Sequence, residues 1–297
     1  MKRFRYSIIF LYTLLLLLVL AFELGAPYLI IHPFKLGQRT TAAAQSLNYK
    51  SINITTSDRI NLVGDLILPT NGKIRGALIM LHGINGNRSF FLRSAAQQAA
   101  NGIAVFVFDQ RGHGQSGGEF CTFGYNEKKD ISTILDTLQH YIPGTSIGVW
   151  GHSLGGAVAI QALEHDKRLK FGIVESTFTR LDDIVYDYME LRLGFKARFL
   201  SDHALRKAEG IAHFDANEVQ PIVSIANVTQ PLFMAHGDAD QRISVEYGKA
   251  LYANAVSLEK EFHLIHGAGH MNLSNVGGPE YTMAILNFLN RQFDKKS

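Results

Sequence analysis

Ile147-Gly148-Val149-Trp150-Gly151-His152-Ser153-Leu154-Gly155-Gly156 is the stretch on which the fold turns. Apolar and small residues suited to a buried strand run into Gly151-His152-Ser153-Leu154-Gly155, and a helix-prone segment from Ala157 to Leu163 follows at once. G-x-S-x-G between a strand and a helix reads as a nucleophile elbow, a sharp turn that strains the serine backbone and lifts its hydroxyl above a sheet. Side chains at 151 and 155 would collide with neighbouring chain, so glycine at both positions is a steric requirement. The helix start offers N–H groups without intrahelical partners to a developing negative charge.

Outward from this stretch, from Leu47 onward, apolar runs alternate with helical patterns, which predicts an α/β fold with a mostly parallel, eight-stranded sheet flanked by helices. Strands are expected at 49–55 and 62–68 (an opening hairpin around Ser57-Asp58-Arg59), then at 77–81, 103–108, 147–150, 171–174, 231–235 and 261–265. Helices are expected at 89–100, closing on Asn101-Gly102, at 130–140, after the elbow, at 244–255, and at 279–293 with Pro279 in the first turn. Residues 176–229 carry no extended strand pattern. Helical spacing over 181–199 and 201–209 predicts a small helical lid there.

The N-terminus reads differently. Lys2-Arg3-Phe4-Arg5 precedes an apolar run, and Tyr6 to Leu24 supplies nearly the 20 or so residues that span a bilayer. A cleaved signal needs small residues at its end, but Leu24-Gly25-Ala26 is followed by Pro27 and Ala42-x-Ala44 lies far from the apolar core. Residues 1–35 are therefore expected to be an uncleaved signal anchor, a single transmembrane helix with a cytoplasmic N-terminus and the catalytic domain outside. Tyr28, His32, Phe34 and Lys35 suit the headgroup layer, 36–46 reads as a linker, and 47–297 as the folded domain. Lys2, Arg3, Arg5 and Lys35 against Glu23 account for the whole formal charge of +3, so the remainder is neutral and gives nucleic acid no basic patch. One cysteine, Cys121, excludes an intramolecular disulfide framework. Sequons stand at Asn53, Asn87, Asn227 and Asn272; glycans at 87 and 272 would crowd the expected site, which favours a bacterial inner membrane and periplasm.

A serine nucleophile needs a base, and the base an orienting acid. Asp240, in His236-Gly237-Asp238-Ala239-Asp240-Gln241-Arg242-Ile243, follows one apolar strand, and His270, in His266-Gly267-Ala268-Gly269-His270, follows the last. Both are expected at the carboxyl edge of the sheet with Ser153, where open α/β sheets bind ligands. These stretches, with Ala77–Gly83 and the glycine-rich loop Asp109–Gly118, resemble the serine α/β-hydrolase superfamily over residues 47 to 293, and are most similar to its monoacylglycerol-lipase-like and membrane-anchored branches. The resemblance implies Ser153 as nucleophile, His270 as general base and then acid, Asp240 as the group orienting the imidazole, and the backbone N–H groups of Leu154 and Ile84 as the oxyanion hole.

Asp238 and Glu175 are alternative acids, and His266 an alternative base. His152, beside the nucleophile, and His82, beside the expected oxyanion donor, are candidate substrate contacts; for His82, as for His113, bracing a loop is the competing role. Asp109 and Arg111 are expected to tie down their own loop. Tyr186, Tyr188, Met189 and Phe195 could line an acyl pocket, although aromatic stripes at helical spacing usually pack in cores. No cofactor and no metal is expected: the histidines fall in separate motifs, and His-x-x-x-His, Cys-x-x-Cys and G-x-G-x-x-G are all missing.

Ser153 sets the chain apart from branches of the fold that use an aspartate nucleophile. The expected reaction is hydrolysis of carboxylic esters, acyl-ester or monoglyceride-like lipids, through an acyl-enzyme. A peptidase, amidase or thioesterase of the same fold is the alternative, and a non-catalytic scaffold on a hydrolase fold a remote one.

Overall fold

Strands with apolar side chains on both faces need cover on both faces, and here they pair into one eight-stranded sheet. The computed structural model describes residues 2–294; Met1, residues 295–297 and the side chain of Lys2, one of the N-terminal cations, lie outside that description. Along the chain come α1 (Lys2–Ile31), β1 (Tyr49–Thr55), β2 (Asn61–Ile67), β3 (Gly76–Leu81), α2 (Leu92–Ala100), β4 (Ile103–Phe108), α3 (Glu127–Tyr141), β5 (Ile147–His152) and α4 (Leu154–His165). Then follow β6 (Leu169–Glu175), α5 (Leu181–Leu193), α6 (Arg198–Ala212), α7 (Pro221–Ile225), β7 (Leu232–Gly237), α8 (Val245–Asn254), β8 (Lys260–Ile265) and α9 (Leu273–Phe293).

The sheet order is β1-β2-β4-β3-β5-β6-β7-β8. β2 runs antiparallel to both its neighbours and every other pairing is parallel. Alternation along each central strand feeds two cores. Ala104, Phe106 and Phe108 of β4 join the core under α3 and α4, while Ile103, Val105 and Val107 join the core under α2 and α9. The parallel strands β3 to β8 end on one sheet edge, and Ser153 follows β5 there, Asp240 follows β7 and His270 follows β8.

Three helices differ from the sequence reading for local reasons. Gly194, at φ 75°, caps α5 in the left-handed conformation, so the helix expected over 181–199 is broken and Phe199 belongs to α6. Asn87 accepts from the Ser89 N–H and caps a 3-10 turn over Arg88–Phe91, so α2 begins later than position 89. Gly278, at φ 55°, kinks α9 just before Pro279, and the straight segment begins at the expected proline.

α1 is long and apolar enough to cross a membrane from Arg3 to Ile31. Its last turns rest on the folded domain. Pro27 and Ile31 are buried, Ile31 lies in the core, and its carbonyl accepts from the Cys121 N–H at 2.8 Å. The Glu23 carboxylate pairs with Lys207 of α6, and His203 Nε2 stands 2.8 Å from Glu23 Oε1. The segment expected as a linker is a strap. The Phe34 N–H donates to Asn85 Oδ1 (2.7 Å), Asn87 Nδ2 donates to the carbonyls of Leu36 and Gly37, and Ala42 is buried in the α2/α9 core. Lys35, read as a headgroup residue, donates instead to Ser116 O at 3.2 Å, and His32 packs edge-on against Phe120.

Candidate active site

The backbone at Ser153 adopts φ 56°, ψ −120°, a region that costs a residue with a side chain on the order of 1–3 kcal/mol. Two hydrogen bonds hold it: the Ser153 N–H donates to Glu175 O (2.9 Å), and Thr177 Oγ1 donates to Ser153 O (2.7 Å). The flanking glycines are needed for space, because a Cβ on Gly151 would run into Gly155 O and one on Gly155 into Leu81 O. The turn sends the hydroxyl to the sheet edge.

There Ser153 Oγ and His270 Nε2 are 3.0 Å apart, and His270 Nδ1 and Asp240 Oδ2 are 2.7 Å apart. A carboxylate beside Nδ1 can only accept, so Nδ1 carries the proton and Nε2 is free to accept from the serine hydroxyl. Asp240 has no exposed side-chain area. Burial pushes its carboxyl up, but the imidazoles of His236 and His270 and the N–H of Ile243 outweigh burial and hold it well below the ordinary carboxylate value. Asp240 Oδ1 accepts from the N–H groups of Arg242 (2.8 Å) and Ile243 (3.0 Å). His236, to which the sequence reading assigned no role, stands 3.5 Å from Asp240 Oδ2 and is itself anchored on Ile243 O.

Asp238 and His266, the alternative acid and base, face each other at 2.8 Å away from Ser153, and Asp238 also accepts from the Gly267 N–H. Glu175 accepts from the Tyr281 hydroxyl, and His152 Nδ1 stands 3.9 Å from its Oε2. Burial pushes the Glu175 carboxyl up, against the Tyr281 hydrogen bond.

Leu154 opens α4, so its N–H has no carbonyl of its own helix to bond. Ile84 follows Gly83, and a Cβ built on Gly83 would lie 3.6 Å from Ser153 Oγ, which places that loop against the serine. Both Leu154 and Ile84 line the cavity into which Ser153 opens.

Neither His82 nor His152, the candidate substrate contacts, lines the cavity that holds Ser153. His82 is fully buried; its Nδ1 donates to Gly83 O (2.8 Å) and its Nε2 accepts from the Gln110 N–H (3.1 Å), so it locks the β3 and β4 loops together. Burial takes its pKa down to about 4, against the Gly83 hydrogen bond. His152 is buried behind His270, rings 5.0 Å apart, and stacks on Phe90; it belongs to a separate hollow with Trp150 and Glu175. Burial, then the charge of His270, lowers its pKa to about 3. Asp109 and Arg111 hold loops: Asp109 accepts from the Arg88 N–H and from Arg88 Nη1, and Arg111 grips the buried Asp130.

The cavity at Ser153 holds about 250 Å³ and is lined mainly by apolar side chains. Tyr188 and Met189 of α5 line it. Tyr186 instead lies under the Arg198 guanidinium, and Phe195 is exposed to solvent. Sequence reasoning missed Phe178, Ile243 and the end of α1, because an apolar residue carries no motif. Among the described residues no group of three His, Cys, Asp or Glu is disposed to hold a metal.

Residues 72–220, half of the chain, match the serine aminopeptidase S33 family of hydrolases. The chain belongs to that family. Protein bem46 of Schizosaccharomyces pombe is 26% identical over 249 residues, covering 82% of this hydrolase and 77% of bem46. Thiohydrolase aneE of Aspergillus aculeatus is 34% identical over a shorter stretch of 153 residues, 48% of this chain and 46% of aneE. Among solved structures, the Pyrococcus furiosus esterase Pf2001 superposes with a TM-score of 0.75 at 26% identity, covering 89% of this hydrolase and 98% of the esterase chain. Fold and family thus agree on an α/β-hydrolase.

Proposed function

We propose that the hydrolase cleaves carboxylic esters of lipid-like acids, with Ser153 as nucleophile, His270 as base and acid, and Asp240 orienting His270. The observation that carries this reading is the hydrogen-bonded series Ser153–His270–Asp240 at 3.0 and 2.7 Å, opening into an apolar cavity. Ser153 Oγ attacks the ester carbonyl while His270 Nε2 takes its proton, and Asp240 stabilises the imidazolium that forms. The tetrahedral oxyanion lies between the N–H groups of Leu154 and Ile84; one lost donor of this kind typically costs about 10²–10³ in turnover. His270 returns the proton to the leaving alcohol, which leaves an acyl-serine. Water, activated by the same imidazole, then releases the acid.

The apolar lining favours an acyl chain over a charged peptide terminus. The similarity to an esterase and a thiohydrolase supports acyl transfer from oxygen or sulfur, whereas the family description names an aminopeptidase. A panel of p-nitrophenyl esters, acyl thioesters and aminoacyl-anilides separates these readings. Turnover of esters, with anilides at least about a hundredfold slower, is expected; turnover of anilides alone overturns the proposal.

The same reading makes residues 1–35 an uncleaved signal anchor, 36–46 a strap and 47–297 the catalytic domain with its lid at about 176–229, outside a bacterial inner membrane. Asn87 fits an unglycosylated setting, since its buried amide is engaged with Leu36, Gly37 and Ser89. A reporter fused after Ser297 should be active in the periplasm; activity only in the cytoplasm refutes this orientation.

A further inference from the structure

We propose that the last turns of α1 form one wall of the acyl pocket, so that the membrane anchor is part of the substrate site and the acyl chain reaches Ser153 along it from the bilayer. The inference rests on the esterase reading of the same cavity. Phe22, Ala26, Leu29 and Ile30 all line the cavity that holds Ser153. They recur at i, i+4, i+7 and i+8, one face of an α-helix. The adjoining stripe, Glu23, Pro27 and Ile31, is the one that docks on the domain, through Lys207 on α6 and through the core. One stripe holds the helix in place while its neighbour is offered to the cavity.

Helix geometry sets the depth. The apolar run from Tyr6 to Phe22 rises about 25 Å at 1.5 Å per residue, close to the thickness of a hydrocarbon core of about 30 Å. Glu23, the first acid of the helix, then marks the edge of the lipid, paired with the Lys207 cation of α6 rather than buried in acyl chains. Residues 24 to 31 continue about 12 Å into the headgroup layer, alongside the cavity.

The lid supplies a second observation. Leu193, at the end of α5, lines the same cavity as Phe22, and around it Leu191, Phe195 and Phe199 are all exposed. Exposed apolar residues on the lid, beside a cavity that α1 also lines, fit immersion in the bilayer surface. A lipid ester in the leaflet would lie with its carbonyl near the headgroups and its chain beside α1. The pocket would therefore admit the ester from the membrane side, with Ala26 as the small residue that leaves room for the chain.

The test uses the full chain in lipid nanodiscs. For p-nitrophenyl acetate, octanoate and palmitate, kcat/KM is compared in the wild type, Ala26→Trp on the cavity face and Leu18→Trp on the lipid face. Ala26→Trp should lower the palmitate-to-acetate ratio of kcat/KM by about tenfold or more, and Leu18→Trp should leave that ratio unchanged. An unchanged palmitate-to-acetate ratio in Ala26→Trp overturns the proposal. In parallel, a diazirine-bearing long-chain alcohol is photo-crosslinked to the full chain. Adducts at Phe22, Ala26 and Ile30 should be competed by excess palmitate ester, and those at lipid-facing positions should not. Competed adducts in a protein that hydrolyses no ester would refute the esterase reading and keep the wall; ester turnover with no competed adduct would refute the wall alone.

Discussion

The two sides of the cavity at Ser153 are built by different physics. On the sheet edge, Ser153, His270 and Asp240 are buried and joined by hydrogen bonds of 2.7 and 3.0 Å, and two further bonds hold a strained backbone. On the opposite side, α1 and α5 offer apolar, partly exposed residues, and the contact between α1 and α6 includes a half-exposed ion pair. The first side can keep reacting atoms in place to within tenths of an ångström. The second has only to match an apolar shape and exclude water, which tolerates substitution far better. On the proposed function, chemistry belongs to the first wall and selectivity to the second.

That contrast breaks most easily at the nucleophile. Ser153→Ala should lower kcat for a short ester by about 10⁴–10⁶-fold with the fold retained, measured by steady-state kinetics and circular dichroism. Asp240→Asn should cost about 10³–10⁴-fold by disturbing the imidazole tautomer, while Asp238→Asn, on an exposed His266 pair, should cost less than about tenfold. Equal losses in the two aspartate variants would dissolve the distinction between them.

The docked and outward-facing parts of α1 can be separated by stability. Ile31 is core, so Ile31→Ala should cost about 2–5 kcal/mol in a denaturant titration of the micellar protein, whereas Leu18→Ala, facing outward, should leave the midpoint of the domain unchanged.

The smallest single-site effect is on a pH slope. His82, His113 and His152 have pKa values pushed down by burial to about 4, 3 and 3. The unfolded chain takes up these protons below pH 6.5 and the folded chain does not, so their contribution is full above pH 6.5 and is lost as pH falls toward 4. The melting temperature should drop from pH 7.5 to 5, and His113→Asn should flatten the drop by about one proton's share, roughly 1.4 kcal/mol per pH unit.

How much of this could be read from residues follows the same division. The elbow announces itself because its glycines answer a collision, and the strands because alternation must feed two cores. Asp240 and His270 stand out because each follows an apolar strand within a turn sequence. The long apolar run of α1 is legible by length and composition, but not its docking, since Pro27 and Ile31 look like any apolar helix residues until the folded domain lies against them. Gly194 ends α5, but helical spacing resumes beyond it and hides the break in the sequence. Whether His82 and His152 face the cavity is not legible, because a histidine next to a motif carries no sign of which way its ring is turned.

The central claim is that Ser153 is the acylated nucleophile of an esterase. The most direct measurement is labelling of the full chain with a long-chain alkyl fluorophosphonate, followed by peptide mapping. One adduct on the peptide containing Ser153, lost in Ser153→Ala and formed far more slowly in Asp240→Asn, is the predicted result. Labelling that persists in Ser153→Ala, or an adduct mapped to another residue, would contradict the account.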